Sequence, residues 1–226
     1  MMKIKRRLNT ELTKLVRSWC HLRLGKQKSG IYGLRGVLHV SQLASPKETL
    51  VRKFYGRIED PEAMRRFGAG DVEDYSFWAW RACGVACVKM VIDACRPEQK
   101  VSLRELIARA LGMGGYEFAG DKGWKHKSLV ELAFDYGLRG GSERFVSAER
   151  VVWHLSRKRA FVCGVDSSTG GHLVLIHGFE VGSDRKLEGF YYHDPYDFRR
   201  PGSDLFMEIA KFRKVNTGRG FWLKGE

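Results

Sequence analysis

The apolar positions of this chain fall into two regimes. Up to about residue 155 they recur at three- and four-residue steps, the spacing of helices with one buried face. Between 4 and 22 the stripe is Ile4, Leu8, Leu12, Leu15, Val16, Trp19 and Leu22, opposite a basic face. Residues 24–35 are rich in Gly, Lys and Ser and read as a linker, and 36–40 reads as a short strand. Helices are predicted near 47–55 and 61–67, the second broken by Gly68 and Gly70. From about 83 to 95, Val85, Val88, Val91 and Ile92 surround most of a helix, which must be buried on several sides. Ser102 and Glu105 form a capping-box pattern ahead of the apolar face Leu103, Leu106, Ile107 and Leu111. Helices near 128–136 and 148–155 follow. Then the pattern shifts to strands, at 161–165, 172–181, 187–193 and 220–223, parted by turn residues such as Gly182-Ser183-Asp184. Helices first and an antiparallel sheet after them predict an α+β fold.

Composition narrows the class. The 226 residues are 43% hydrophobic and 12% aromatic, enough for one good core and too apolar for a disordered chain. No run of about 18 apolar residues exists, so no transmembrane segment is expected. The charged N-terminus lacks the continuous apolar block of a secretory signal, and the chain reads as cytoplasmic. Five cysteines without paired spacing suit reduced thiols better than a disulfide framework. Residues 1–28 hold nine basic residues against one acid, a local +8, which leaves +6 of the net +14 to the other 198 residues. This arm either docks on its own domain or contacts an anionic surface or nucleic acid. The division expected is a basic helical arm and linker at 1–30, then one domain at 31–226 with an insertion at about 44–78.

Two positions carry candidate chemistry. Cys83 stands where the buried helix should begin, and an anionic thiolate is favoured at a helix start and beside an imidazolium. Gly84 after it permits another backbone to approach closely. Cys87, one turn further in, reads as a small core residue. His172 follows Gly170-Gly171 and opens a strand whose next four residues are all apolar, so the strand should be buried on both faces. Either residue alone has a packing explanation. Together they are what a thiol nucleophile and its base require. A third group should orient the imidazole, and a hairpin of 172–181 with 187–194 sets Asp194 opposite His172; Asp166 and Asp197 are weaker competitors. The main-chain N–H of Cys83 and a side-chain amide would hold the oxyanion. Of the three glutamines, Gln42 follows the expected strand at 36–40, while Gln27 and Gln99 sit in charged, loop-like stretches.

The stretches ACGVACVKMV, GGHLVLIHGFE and YYHDP resemble the Cys, His and Asp blocks of papain-like cysteine peptidases. The chain is most similar to stand-alone relatives of the double-glycine leader (bacteriocin-processing) peptidases, in which a block like LHVSQLAS precedes the Cys. The resemblance implies a papain-like fold over roughly 36–224, with helices on an antiparallel sheet and the nucleophile at the start of the central helix. It implies Cys83 as nucleophile, His172 as base, Asp194 as orienting acid and Gln42 as oxyanion donor, with a peptide or protein substrate and no cofactor or metal. The family's glutamine commonly lies only a few residues before the Cys. Here Phe77 holds such a place, so the segment after Gln42 must loop out and return. Leader peptidases are usually joined to a membrane transporter, for which this chain shows no span.

Three other functions remain compatible with the sequence. The thioester of a cysteine peptidase can be resolved by an amine, giving a transpeptidase or amidase on the same fold. The chain can be a catalytically inactive basic binding module. Cys83, Cys87, His172 and His193 can be drawn around zinc, although Cys-x3-Cys at the head of a buried helix is not a familiar zinc-binding spacing.

Overall fold

The computed structural model describes residues 29–225 apart from Arg35, Phe54, Ser168 and Thr169. The helical stripe at 4–22 and the basic arm lie outside the described residues.

In chain order the elements are β1 (Gly30–Gly33), α1 (Pro61–Phe67), α2 (Val72–Ala79), α3 (Cys83–Cys95), α4 (Leu103–Gly112), β2 (Tyr116–Glu117), β3 (Gly123–Trp124), α5 (His126–Phe134), β4 (Leu138–Arg144), α6 (Ala148–Leu155), β5 (Ala160–Ser167), β6 (Gly170–Val181), β7 (Leu187–His193), β8 (Leu205–Glu208), α7 (Ile209–Val215) and β9 (Asn216–Gly225). One antiparallel sheet runs β4-β9-β5-β6-β7-β8, with β1 paired to the far end of β6; β2 and β3 form a separate two-stranded ribbon. The α+β class is as the sequence predicted, although β1 precedes the helices, β2 to β4 fall among them and α7 falls among the strands.

The four-residue apolar run in β6 explains the layering. Alternate residues of a strand point to opposite faces. Leu173 and Leu175 join the larger core with α3, α4 and α5, whereas Val174 and Ile176 join a second core under α6 and α7. β6 is therefore the shared wall of two apolar layers. The capping box at α4 is present with both of its reciprocal bonds, so Ser102 and Glu105 satisfy donors that the helix start leaves over.

Local expectations fail at three places. Residues 30–33, within the expected linker, form β1 on the edge of β6. Residues 36–40 are not a strand. Their polar groups bond far along the chain instead: Val37 O accepts from His193 Nε2, and the His39 ring bonds to the main-chain O of Asp194. The helix expected near 47–55 shrinks to a 3-10 turn at Glu48–Leu50. There the Lys47 N–H goes to Asp60, Val51 bridges to Ile58, and Tyr55 takes a left-handed φ of 58°. The stretch 44–78, expected as an insertion, buries Val51, Ile58, Ala63, Phe67 and Tyr75 in the larger core. Sequence reading missed α2, the short β2, β3 and β8, α7, and β4, the last because Gly140-Gly141 interrupts its alternation.

Candidate active site

The site forms where α3 meets the entrance of β6. Cys83 is the first residue of α3, and Ala82 before it offers no side-chain cap; the first N–H groups of a helix have no partner within the helix itself. The field at such a helix start favours an anion. Gly84 lets the helix lie close against its neighbours. The partners are side chains rather than the backbone expected: a Cβ there would stand 2.8 Å from Leu129 Cδ1 and 2.9 Å from Leu173 Cδ1. Cys87 is fully buried and directs its thiol to Leu173 O at 3.6 Å. Burial pushes that thiol well up, which keeps it neutral. This contact pins the second turn of α3 to the residue after His172.

His172 uses Nε2 for Asp194 Oδ1 at 2.6 Å, and Cys83 stands close enough to raise the ring's affinity for a proton. Burial of the ring opposes protonation. The bond to Asp194 and the neighbouring Cys83 outweigh it and raise the imidazole to about 10, which favours the protonated ring. The Tyr196 ring stands edge-on to it with centroids 6.4 Å apart.

Asp194 reaches His172 in a register other than the one expected. β6 and β7 pair Leu175 with His193 and Ile176 with Tyr192, with bulges further along. Continued outward, that register puts Asp194 across from Val174, two residues from His172 on the same face. A displacement of two preserves the face, and such diagonal neighbours stay within side-chain reach. Asp194 lies just past β7, 3% exposed, and is held on several sides. Oδ1 also accepts the Tyr196 N–H, Oδ2 accepts Arg200 Nη2 at 2.5 Å, its main-chain N–H donates to Gly202 O, and its carbonyl meets the His39 ring. Asp197 takes the Ser41 hydroxyl at 2.6 Å and does not compete for His172. Asp166, also weighed for that role, pairs with Gly171 in the β5–β6 ladder.

Gln42 is 2% exposed and lies between the two sides of the site. Its main-chain N–H donates to Pro195 O, next to Asp194, and Nε2 donates to Ala79 O, four residues before Cys83. Nε2 carries a second hydrogen, while Oε1 is buried without a hydrogen-bond partner.

The zinc grouping does not assemble, because Cys87 points at Leu173 O and His193 lies elsewhere. His177, His193 and Asp204 do approach one another closely enough to hold an ion. However, His193 spends Nε2 on Val37 O and receives the Asp204 N–H at Nδ1, which leaves two ligands. The donor set does not fit a metal centre. Sequence reading missed Arg200, Tyr196 and His39. Arg199-Arg200 is indistinguishable in sequence from any exposed basic pair.

A family model described as Peptidase_C39 like family matches residues 70–218. A search of curated proteins finds no match. Among solved structures the chain is similar to a double glycine motif protease from an AMS/PCAT transporter in complex with the leader peptide, at 19% identity, covering 64% of this chain and 84% of the other with a TM-score of 0.44. It is also similar to the peptidase domain of Streptococcus ComA, a bi-functional ABC transporter involved in a quorum sensing pathway, at 17% identity, covering 65% and 93% with a TM-score of 0.46. No helix among the described residues is long and apolar enough to cross a membrane.

Proposed function

The chain belongs to the Peptidase_C39 like family of cysteine peptidases, and from that premise we propose that it hydrolyses peptide bonds through a Cys83–His172–Asp194 triad. The observation that carries this reading is a buried imidazole bonded at 2.6 Å to a buried carboxylate, with the thiol of Cys83 beside it at a helix start that has no side-chain cap.

The Cys83 thiolate attacks the peptide carbonyl, forming a C–S bond and an oxyanion. The oxyanion is held by the Cys83 main-chain N–H and by the remaining Nε2 hydrogen of Gln42. As the C–N bond breaks, the His172 imidazolium protonates the departing amine. His172, now neutral, takes a proton from water. The hydroxide attacks the thioester, the C–S bond breaks, and a carboxylic acid and the Cys83–His172 pair are regenerated. Asp194 keeps Nε2 toward itself throughout, so Nδ1 faces the thiol. The substrate is a peptide or protein segment laid across the start of α3.

Alkylation with iodoacetamide tests the activated thiol without knowledge of the substrate. Cys83 should react far faster than Cys87, Cys95 or Cys163, and His172→Ala should slow it by at least tenfold. Equal rates among the cysteines, or a rate unchanged in His172→Ala, would sink the triad. Product analysis of a cleaved peptide with and without a competing amine separates hydrolysis from acyl transfer.

A further inference from the structure

On the reading of Cys83, His172 and Asp194 as a triad, we propose that Arg200 is a positioning residue that shares the Asp194 carboxylate with His172 and so governs how readily the imidazolium gives up its proton. Asp194 is buried and both its oxygens are engaged, Oδ1 by His172 and the Tyr196 N–H, Oδ2 by Arg200 at 2.5 Å. Two cations thus compete for one carboxylate. Each draws part of its charge, and a carboxylate neutralised by a guanidinium on one oxygen binds an imidazolium less tightly on the other.

The other groups facing this pair do not replace Arg200. Cys83 meets the ring from α3, with Cys87 one turn deeper and neutral. Tyr192 on β7 and Tyr196 on the following loop are phenols that burial pushes up, and they stay uncharged. Asp197 is spent on Ser41 and is itself pushed up by burial. His39 meets the main-chain oxygen of Asp194, not its carboxylate. Among the described residues, Arg200 is the guanidinium in ion-pair contact with Asp194. Its side chain is 52% exposed and lies beside the Tyr196 ring, so its charge is within reach of salt.

Arg200→Gln keeps a donor for Oδ2 and removes the charge, whereas Arg200→Lys keeps the charge. The readout is the rate of Cys83 alkylation by iodoacetamide against pH, together with kcat and KM on a cleaved peptide. In Arg200→Gln the upper inflection, where the imidazolium deprotonates, should move up by roughly half a pH unit or more. Its kcat should fall with KM unchanged, because a more firmly held proton reaches the leaving amine less readily. Arg200→Lys should stay near wild type. Raising the salt should move the wild-type inflection upward and leave that of Arg200→Gln nearly still. A merely structural role would lower the melting temperature without moving the inflection. An inflection that stays or falls in Arg200→Gln, or that moves equally in Arg200→Lys, overturns the proposal. If wild-type Cys83 shows no fast alkylation, the triad fails and this inference fails with it. If Cys83 reacts fast and only the expected shift is missing, the role of Arg200 alone is refuted.

Discussion

His172 and His177 lie five residues apart on one strand and titrate in opposite directions. The charge on His172 is stabilised, so its folded pKa of about 10 exceeds the unfolded value of about 6.5. Its contribution to stability is full below about 6.5 and is lost as pH rises through about 10. Peptidase activity, which needs the imidazolium to protonate the leaving amine, should therefore persist into mildly alkaline pH and fall above it. His177 behaves the other way. Burial, with His193 stacked 4.3 Å away, lowers it to about 4, so its neutral form stabilises the fold above about 6.5 and that support is lost as pH falls toward 4. His177→Phe keeps a ring and removes the titration. Its melting temperature should decline less than the wild type's between pH 6.5 and 4, and parallel declines would refute this assignment. Cys83, His172 and Asp194 were legible in the sequence because each stands at the end of an element with a strong apolar signal. Arg200 and His39 were not, because they are selected by a loop whose course no periodicity encodes.

At the scale of elements, the site depends on how closely α3 lies on β6. Gly84→Ala would drive a methyl into Leu129 and Leu173, at a cost of about 1–3 kcal/mol. It should also slow Cys83 alkylation, since Leu173, which must give way, directly follows His172 in β6. Ser102→Ala is the matched control. Losing the α4 cap should cost about 1 kcal/mol in a denaturant titration and leave the alkylation profile unmoved. A slowed profile in Ser102→Ala would show that any destabilisation disturbs the site. The helix from 83 to 95 and the strand from 172 were legible because their apolar patterns are long. The β6–β7 register was read two residues off, since bulges absorb residues that a turn alone does not reveal. The face survived that error, and with it the pairing of His172 with Asp194.

For the molecule as a whole, two apolar layers share one sheet. Leu173 and Leu175 serve one side, Val174 and Ile176 the other. Neither layer can melt without exposing β6, so far-ultraviolet and near-ultraviolet dichroism should report one coincident transition in urea. Separate midpoints would mean that α6 and α7 unfold on their own. The α+β class was legible from the change of period near residue 155. The course of 34–45 was not, because its hydrogen bonds go to His193, Asp194 and Pro195 far along the chain.

The sheet order has a consequence in time. β9 follows every other strand in sequence, yet it sits between β4 and β5, with Phe221 and Leu223 fully buried. While the ribosome is still making residues 216–225, β5 has an open edge and β4 has no partner. The floor beneath α3 therefore lacks its β9 strip during synthesis, with β6 already made. Cys83 leaves the ribosome long before that sheet is closed, so a nascent chain carries the thiol past its neighbours before the strands around His172 are complete.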